Sequence, residues 1–104
     1  MTTFDDRENA YENMFAHNEE LRFKAEARCN KLLALWAAKK LGKSEAESEA
    51  YVGEVIKSDF EEAGHDDVIR KVAADLGAFS SEDDVRAKRS ELLREAQAQI
   101  ADEN

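Results

Sequence analysis

Apolar residues recur at three- and four-residue spacing along nearly the whole of this chain, and it contains no proline to interrupt them. That period is one face of an α-helix. Four glycines are the only strong breakers, and three of them, Gly42, Gly64 and Gly77, fall where the apolar pattern stops. Nowhere do β-branched or aromatic residues alternate with period two, so strands have no signal. The chain therefore reads as all-α.

Asn18 can cap a helix that carries Glu19 and Glu20 in its first turn and runs to Gly42. Leu21, Ala25, Cys29, Leu32 and Trp36 are expected to form its buried stripe, widened by Leu33, Ala37 and Leu41. Ser44 and Glu47 have capping-box spacing and open a helix with Tyr51, Val52, Val55, Ile56 and Phe60 inward, which Gly64 ends. A shorter helix from Asp66 or Asp67 buries Val68, Ile69, Val72, Ala73 and Leu76 before Gly77, and Phe79 is expected to anchor the turn. Ser80 or Ser81 caps the last helix, whose stripe is Val85, Leu92, Leu93, Ala96 and Ile100. Short links favour antiparallel neighbours, so residues 18–104 are expected to form a four-helix bundle. A chain of 104 residues suits one such domain.

Residues 1–17 stand apart. In a helix, Phe4, Tyr11 and Phe15 would share a stripe, with Ala10 and Met14 beside it. Asp5, Asp6, Arg7, Glu8 and Glu12 fill much of the remainder. A helix this short is marginal alone in water, so it needs a partner surface. We read the segment as a mobile amphipathic N-terminal arm.

A formal net charge of −9 disfavours nucleic acid and anionic membrane surfaces as partners. No apolar run is long enough to span a bilayer, and the acidic N-terminus does not read as a secretory signal. A single cysteine cannot form an internal disulfide, which fits a reducing, cytoplasmic compartment. Glycine-rich phosphate loops, nucleophile elbows and His-Glu-x-x-His are missing. Neither an enzymatic activity nor a metal or other cofactor is expected. Cys29 and Trp36 read as core, Gly64-His65-Asp66-Asp67 as a helix-capping turn, and His17 as a solvated junction residue.

Five blocks of sequence then carry a resemblance. They are Thr2-Thr3-Phe4-Asp5-Asp6-Arg7-Glu8, Phe15-Ala16-His17, Glu19-Glu20-Leu21-Arg22-Phe23-Lys24-Ala25, Asn30-Lys31-Leu32-Leu33-Ala34-Leu35-Trp36-Ala37-Ala38 and Asp59-Phe60-Glu61-Glu62-Ala63. Together they resemble the zeta-subunit family of alphaproteobacteria, small inhibitors of the F-type ATP synthase. The resemblance implies a four-helix bundle with an N-terminal inhibitory arm, similar in character to that of the mitochondrial ATPase inhibitor protein. It implies that the arm enters a catalytic interface of the synthase head beside the central rotor subunit and folds there as a helix. Hydrolytic rotation is then blocked, and synthesis is much less affected. The matching arm positions are Thr3, Phe4, Asp5, Asp6, Arg7, Glu8, Tyr11, Glu12, Phe15 and His17. The chain departs from the family pattern at Met14, where a basic residue is expected, and at Tyr11, Asn18, Cys29 and Gly64-His65.

The resemblance also implies a location in the cytoplasm, peripheral to the inner membrane through the synthase; nothing in the sequence demands a dimer, so a monomer is expected when free. Two other readings remain open. One is an adenine-nucleotide sensor, in which ATP or ADP would use the exposed bases Arg22, Lys24, Arg28 and Arg70. The other is a plain interaction adapter whose arm docks on its own bundle.

Overall fold

The computed structural model describes residues 18–59 and 66–103. Four α-helices account for nearly all of them: α1 (Glu19–Lys40), α2 (Glu45–Ser58), α3 (Asp66–Leu76) and α4 (Glu82–Glu103), with a 3-10 turn at Gly77–Phe79 before α4. The expected all-α bundle is what the chain forms. The arm, residues 1–17, lies outside the described residues, as do Phe60, Gly64 and His65.

Helix ends follow the capping chemistry. Asn18 Oδ1 accepts from the Leu21 amide at 3.1 Å and starts α1. Gly42 has φ +72°, with its amide donating to the Lys39 carbonyl and the Lys43 amide to Ala38. This is a Schellman ending, which favours glycine at the left-handed residue. Ser44 Oγ accepts from the Glu47 amide at 3.2 Å, and Glu47 Oε1 accepts from the Ser44 amide at 2.9 Å. Of the two candidate serines before α4, Ser81 is the cap, exchanging bonds with Asp84 in the same reciprocal manner. The second helix ends earlier than expected, at Ser58. Ser58 Oγ donates to the Val55 carbonyl at 2.7 Å, and the Asp59 amide is shared between Val55 and Ile56. Such local bonding competes with continued helix.

α1 is the central element, packed mainly on α2 and α4, while α3 closes against both of those. Its buried side chains are small: Ala25, Cys29, Ala34, Ala37 and Ala38, with Leu33 and Asn30 among them. Small residues let two neighbours approach one helix closely on different sides. Leu33, Val55, Val68, Val72, Leu76 and Val85 form the main core with Tyr51 and Ile69. Ala25 and Ile100 form a second cluster with Leu21 and Leu93, tying the start of α1 to the end of α4.

Several expected core residues, Leu21, Leu41, Val52, Ile56, Ala73 and Leu93 among them, are only half-buried, and three further assignments bear on the faces of the bundle. Phe79 is 65% exposed and anchors nothing in the turn. Trp36 is only half-buried, with the Lys40 ammonium 5.2 Å and the Lys88 ammonium 6.0 Å from its ring centre. Leu32 likewise sits at the edge, and Leu33 takes the core position. The cause is that α1 touches two partners, so its buried arc is wide and centres near Leu33. A single best-fitting stripe through Leu32 and Trp36 lies off that centre.

Candidate functional site

The arm residues Thr3, Phe4, Asp5, Asp6, Arg7, Glu8, Tyr11, Glu12, Phe15 and His17 all precede Asn18, so the described structure shows what they are attached to. That attachment is stiff. The cap at Asn18 fixes the first turn of α1. The cluster of Leu21, Ala25, Leu93 and Ile100 then pins it to α4. Arg28 adds a polar clamp: its guanidinium donates to Gln99 Oε1 at 2.9 Å and lies 3.0 Å from Glu103 Oε1.

The outward face of α1 carries Lys24, Arg28, Lys31, Leu35 and Lys39, spaced four, three, four and four residues apart. At helical period these lie in one row. Lys24, Lys31 and Lys39 are exposed, Leu35 is 39% exposed and Arg28 is half-buried. Lys24 pairs with Glu20 at 3.6 Å, an exposed pair of little energetic weight. Lys31 and Lys39 make no ion pair among the described residues. A basic row is thus displayed by a chain of net charge −9. Its signal was present in the sequence, but the apolar pattern drew attention to the opposite face.

The four bases considered for a nucleotide come from two helices, Arg22, Lys24 and Arg28 from the first and Arg70 from the third. Lys24 and Arg28 are neighbours on one face of α1. Arg22 is two residues from Lys24, about 200° around the helix. Arg70 belongs to α3. Arg28 is already engaged by Glu103 and Gln99. Among the described residues no group of histidine, cysteine, aspartate or glutamate could hold a metal ion. Nor is any described helix long and apolar enough to cross a membrane.

Cys29 is fully buried, and its thiol donates to the Arg89 carbonyl at 3.5 Å. Burial, only partly offset by the charge of Arg89, pushes the thiol up from the ordinary 9.0 to about 11. It is a packed thiol and a poor nucleophile at neutral pH. Because the folded value lies above the unfolded one, the stabilising effect is complete below about pH 9 and disappears as pH rises toward 11. Stability is expected to fall by about 2 kcal/mol across that window. Tyr51, also held protonated by burial and its bond to Asp75, extends the decline to higher pH. Urea unfolding of the parent and of Cys29→Ala at pH 8 and pH 10.5 checks this. The variant should lose less stability than the parent between the two, and equal losses would remove Cys29 from the account.

Among the buried polar residues that sequence patterning missed, two lie on the long helices. Arg89 on α4 is 9% exposed and Asn30 on α1 is 2% exposed. Both fall at core positions in the helical repeat, and their polarity hid them.

Comparison with known proteins adds a family. The family model described as "ATPase inhibitor subunit zeta" matches residues 1–99. Four chains of solved structures match. One is a solution NMR structure 56% identical to this chain, covering 81% of this chain and 99% of its own, with a TM-score of 0.73. The comparison with curated proteins finds no match.

Proposed function

Because the chain belongs to the ATPase inhibitor subunit zeta family, we propose that it inhibits ATP hydrolysis by an F-type ATP synthase and that residues 1–17 deliver the inhibition. The observation that carries this reading is the extent of the family match. It begins at residue 1 and so takes in the N-terminal segment as well as the bundle.

The mechanism follows from the division of labour in the chain. The bundle is a closed core with a stiff attachment point at Asn18. The arm supplies contact groups. Phe4, Tyr11 and Phe15 are aromatic anchors of the kind that dominate interfaces. Arg7 offers a planar fork for a carboxylate of the synthase, and Glu8 and Glu12 can meet its basic groups. Inserted as a helix between a catalytic interface and the central rotor, the arm obstructs rotation in the hydrolytic direction. Rotation in the other direction expels it, so synthesis continues. The protein acts as a regulator without catalysis of its own, peripheral to the membrane through its partner.

The test is hydrolysis by the purified cognate head with increasing full-length protein. Activity should fall toward a plateau near one inhibitor per head. Undiminished hydrolysis at tenfold excess would overturn the proposal.

A further inference from the structure

Residues 27–44 hold five bases and no acid, in a chain where 24 of 104 residues are aspartate or glutamate. The run covers the C-terminal part of α1 and the turn that follows it. The helix dipole accounts for Lys39 and Lys40 in the last turn, but it does not reach Lys31, two turns earlier. Lys31, Leu35 and Lys39 stand four residues apart in one exposed row. Trp36 lies beside that row, half-buried, with the Lys40 ammonium of α1 5.2 Å and the Lys88 ammonium of α4 6.0 Å from its ring centre. Lys31, Lys39 and Lys40 make no ion pair among the described residues, and Lys88 meets only Glu91, at 3.3 Å. A leucine and an indole edge set among unpaired ammoniums form an amphipathic patch that the bundle itself leaves unused.

We propose that this face of α1 is a second contact surface of the protein, which docks an acidic segment of the synthase head while residues 1–17 deliver the inhibition. The identity of the partner rests on the function proposed above. Its chemistry rests on charge complementarity. An extended polyanion, such as nucleic acid or an anionic bilayer, meets the whole molecule at −9 and is repelled. A local acidic segment meets only the patch, about 14 Å of helix from Lys31 to Lys40. Its carboxylates pair with Lys31, Lys39 and Lys40, and its apolar side chains cover Leu35 and the open edge of Trp36. Lys40 and Lys88 are held over the indole ring, so less side-chain freedom is lost on pairing. α1 runs unbroken from the Asn18 cap, which puts Lys31 about 20 Å and Lys39 about 32 Å from the point where residues 1–17 attach. A partner that grips those residues is within reach of the patch.

The experiment uses the full chain and the purified head. A benzophenone on Leu35→Cys should crosslink to the head, and mass spectrometry should place the crosslink in a stretch rich in aspartate and glutamate. The native Cys29 is fully buried and stays unlabelled. In the hydrolysis assay the double variant Lys31→Glu, Lys39→Glu should weaken apparent affinity about tenfold at roughly 50 mM salt, with maximal inhibition retained. The gap should close to about twofold at about 0.5 M. The double variant Lys57→Glu, Arg94→Glu makes the same change of net charge on α2 and α4 and should shift affinity less than about twofold. All four side chains are exposed, so circular dichroism of both variants should match the parent. Equal weakening by the two double variants, or none by either, overturns the surface. A crosslink in a basic stretch of the head overturns it, as do crosslinks between chains, since the occupant would then be a second copy. The crosslink is read without hydrolysis. A crosslink to the acidic stretch beside undiminished hydrolysis keeps the docking surface and removes the inhibition, whereas inhibition with no crosslink to the head does the reverse.

Discussion

A chain beginning at Asn18 is expected to melt within about 2 °C of the full-length protein and yet to lose at least about a hundredfold in inhibition of ATP hydrolysis. Both halves of this result have a physical basis. Among the described residues no member of the main core precedes Cys29, and the satellite cluster begins at Leu21. The Asn18 cap is retained, so the first turn of α1 keeps its hydrogen bond. Inhibition differs because Phe4, Tyr11 and Phe15 are removed together. Buried aromatic anchors cost about 2 kcal/mol or more each on truncation, and a factor of ten needs only about 1.4 kcal/mol. Even with the ordering cost of a helix that forms on binding, the loss exceeds two decades. Circular dichroism melts and hydrolysis titrations of the two chains decide it. Equal inhibition by both would move the inhibitory surface onto the bundle, and a large drop in melting temperature would make the arm part of the core.

The elements of this fold were legible because each helix carries its own punctuation. Asn18, Ser44 and Ser81 cap as their side chains permit, and Gly42 ends α1 in a conformation that disfavours other residues. What the sequence concealed was the direction each face points. Leu32, Leu33 and Leu35 are indistinguishable by hydropathy, and helix periodicity alone fitted Leu32 into the stripe. Contact with α2 on one side and α4 on the other decides otherwise, and that is tertiary information. The same cause explains Phe79, which lies in a turn where no periodicity applies. For the candidate site, the aromatic and acidic pattern of residues 1–17 was readable, but its target was not, because a partner surface leaves no mark in the partner's sequence. The basic row on α1 became visible only once its exposure was known.

The three leucines give the second large effect. Leu33→Ala is expected to destabilise the bundle by about 3–4 kcal/mol, Leu32→Ala by less, and Leu35→Ala by no more than about 0.5 kcal/mol. Leu33 is fully buried between α1 and its neighbours, Leu32 is half-buried, and Leu35 is 39% exposed. Truncation at Leu33 removes apolar surface from the core and leaves a cavity. The closely packed alanines around it, Ala34, Ala37 and Ala38, have no side-chain reach with which to fill that space. A domain of this size has about 5–15 kcal/mol in total, so the variant forfeits a large share of its stability. Its melting temperature should drop by roughly 15–20 °C. Urea unfolding of the three variants gives the ranking directly. If Leu32→Ala proved the costliest, the buried arc of α1 would centre on the Leu32–Trp36 stripe after all, and the outward face carrying Lys24, Lys31 and Leu35 would rotate with it.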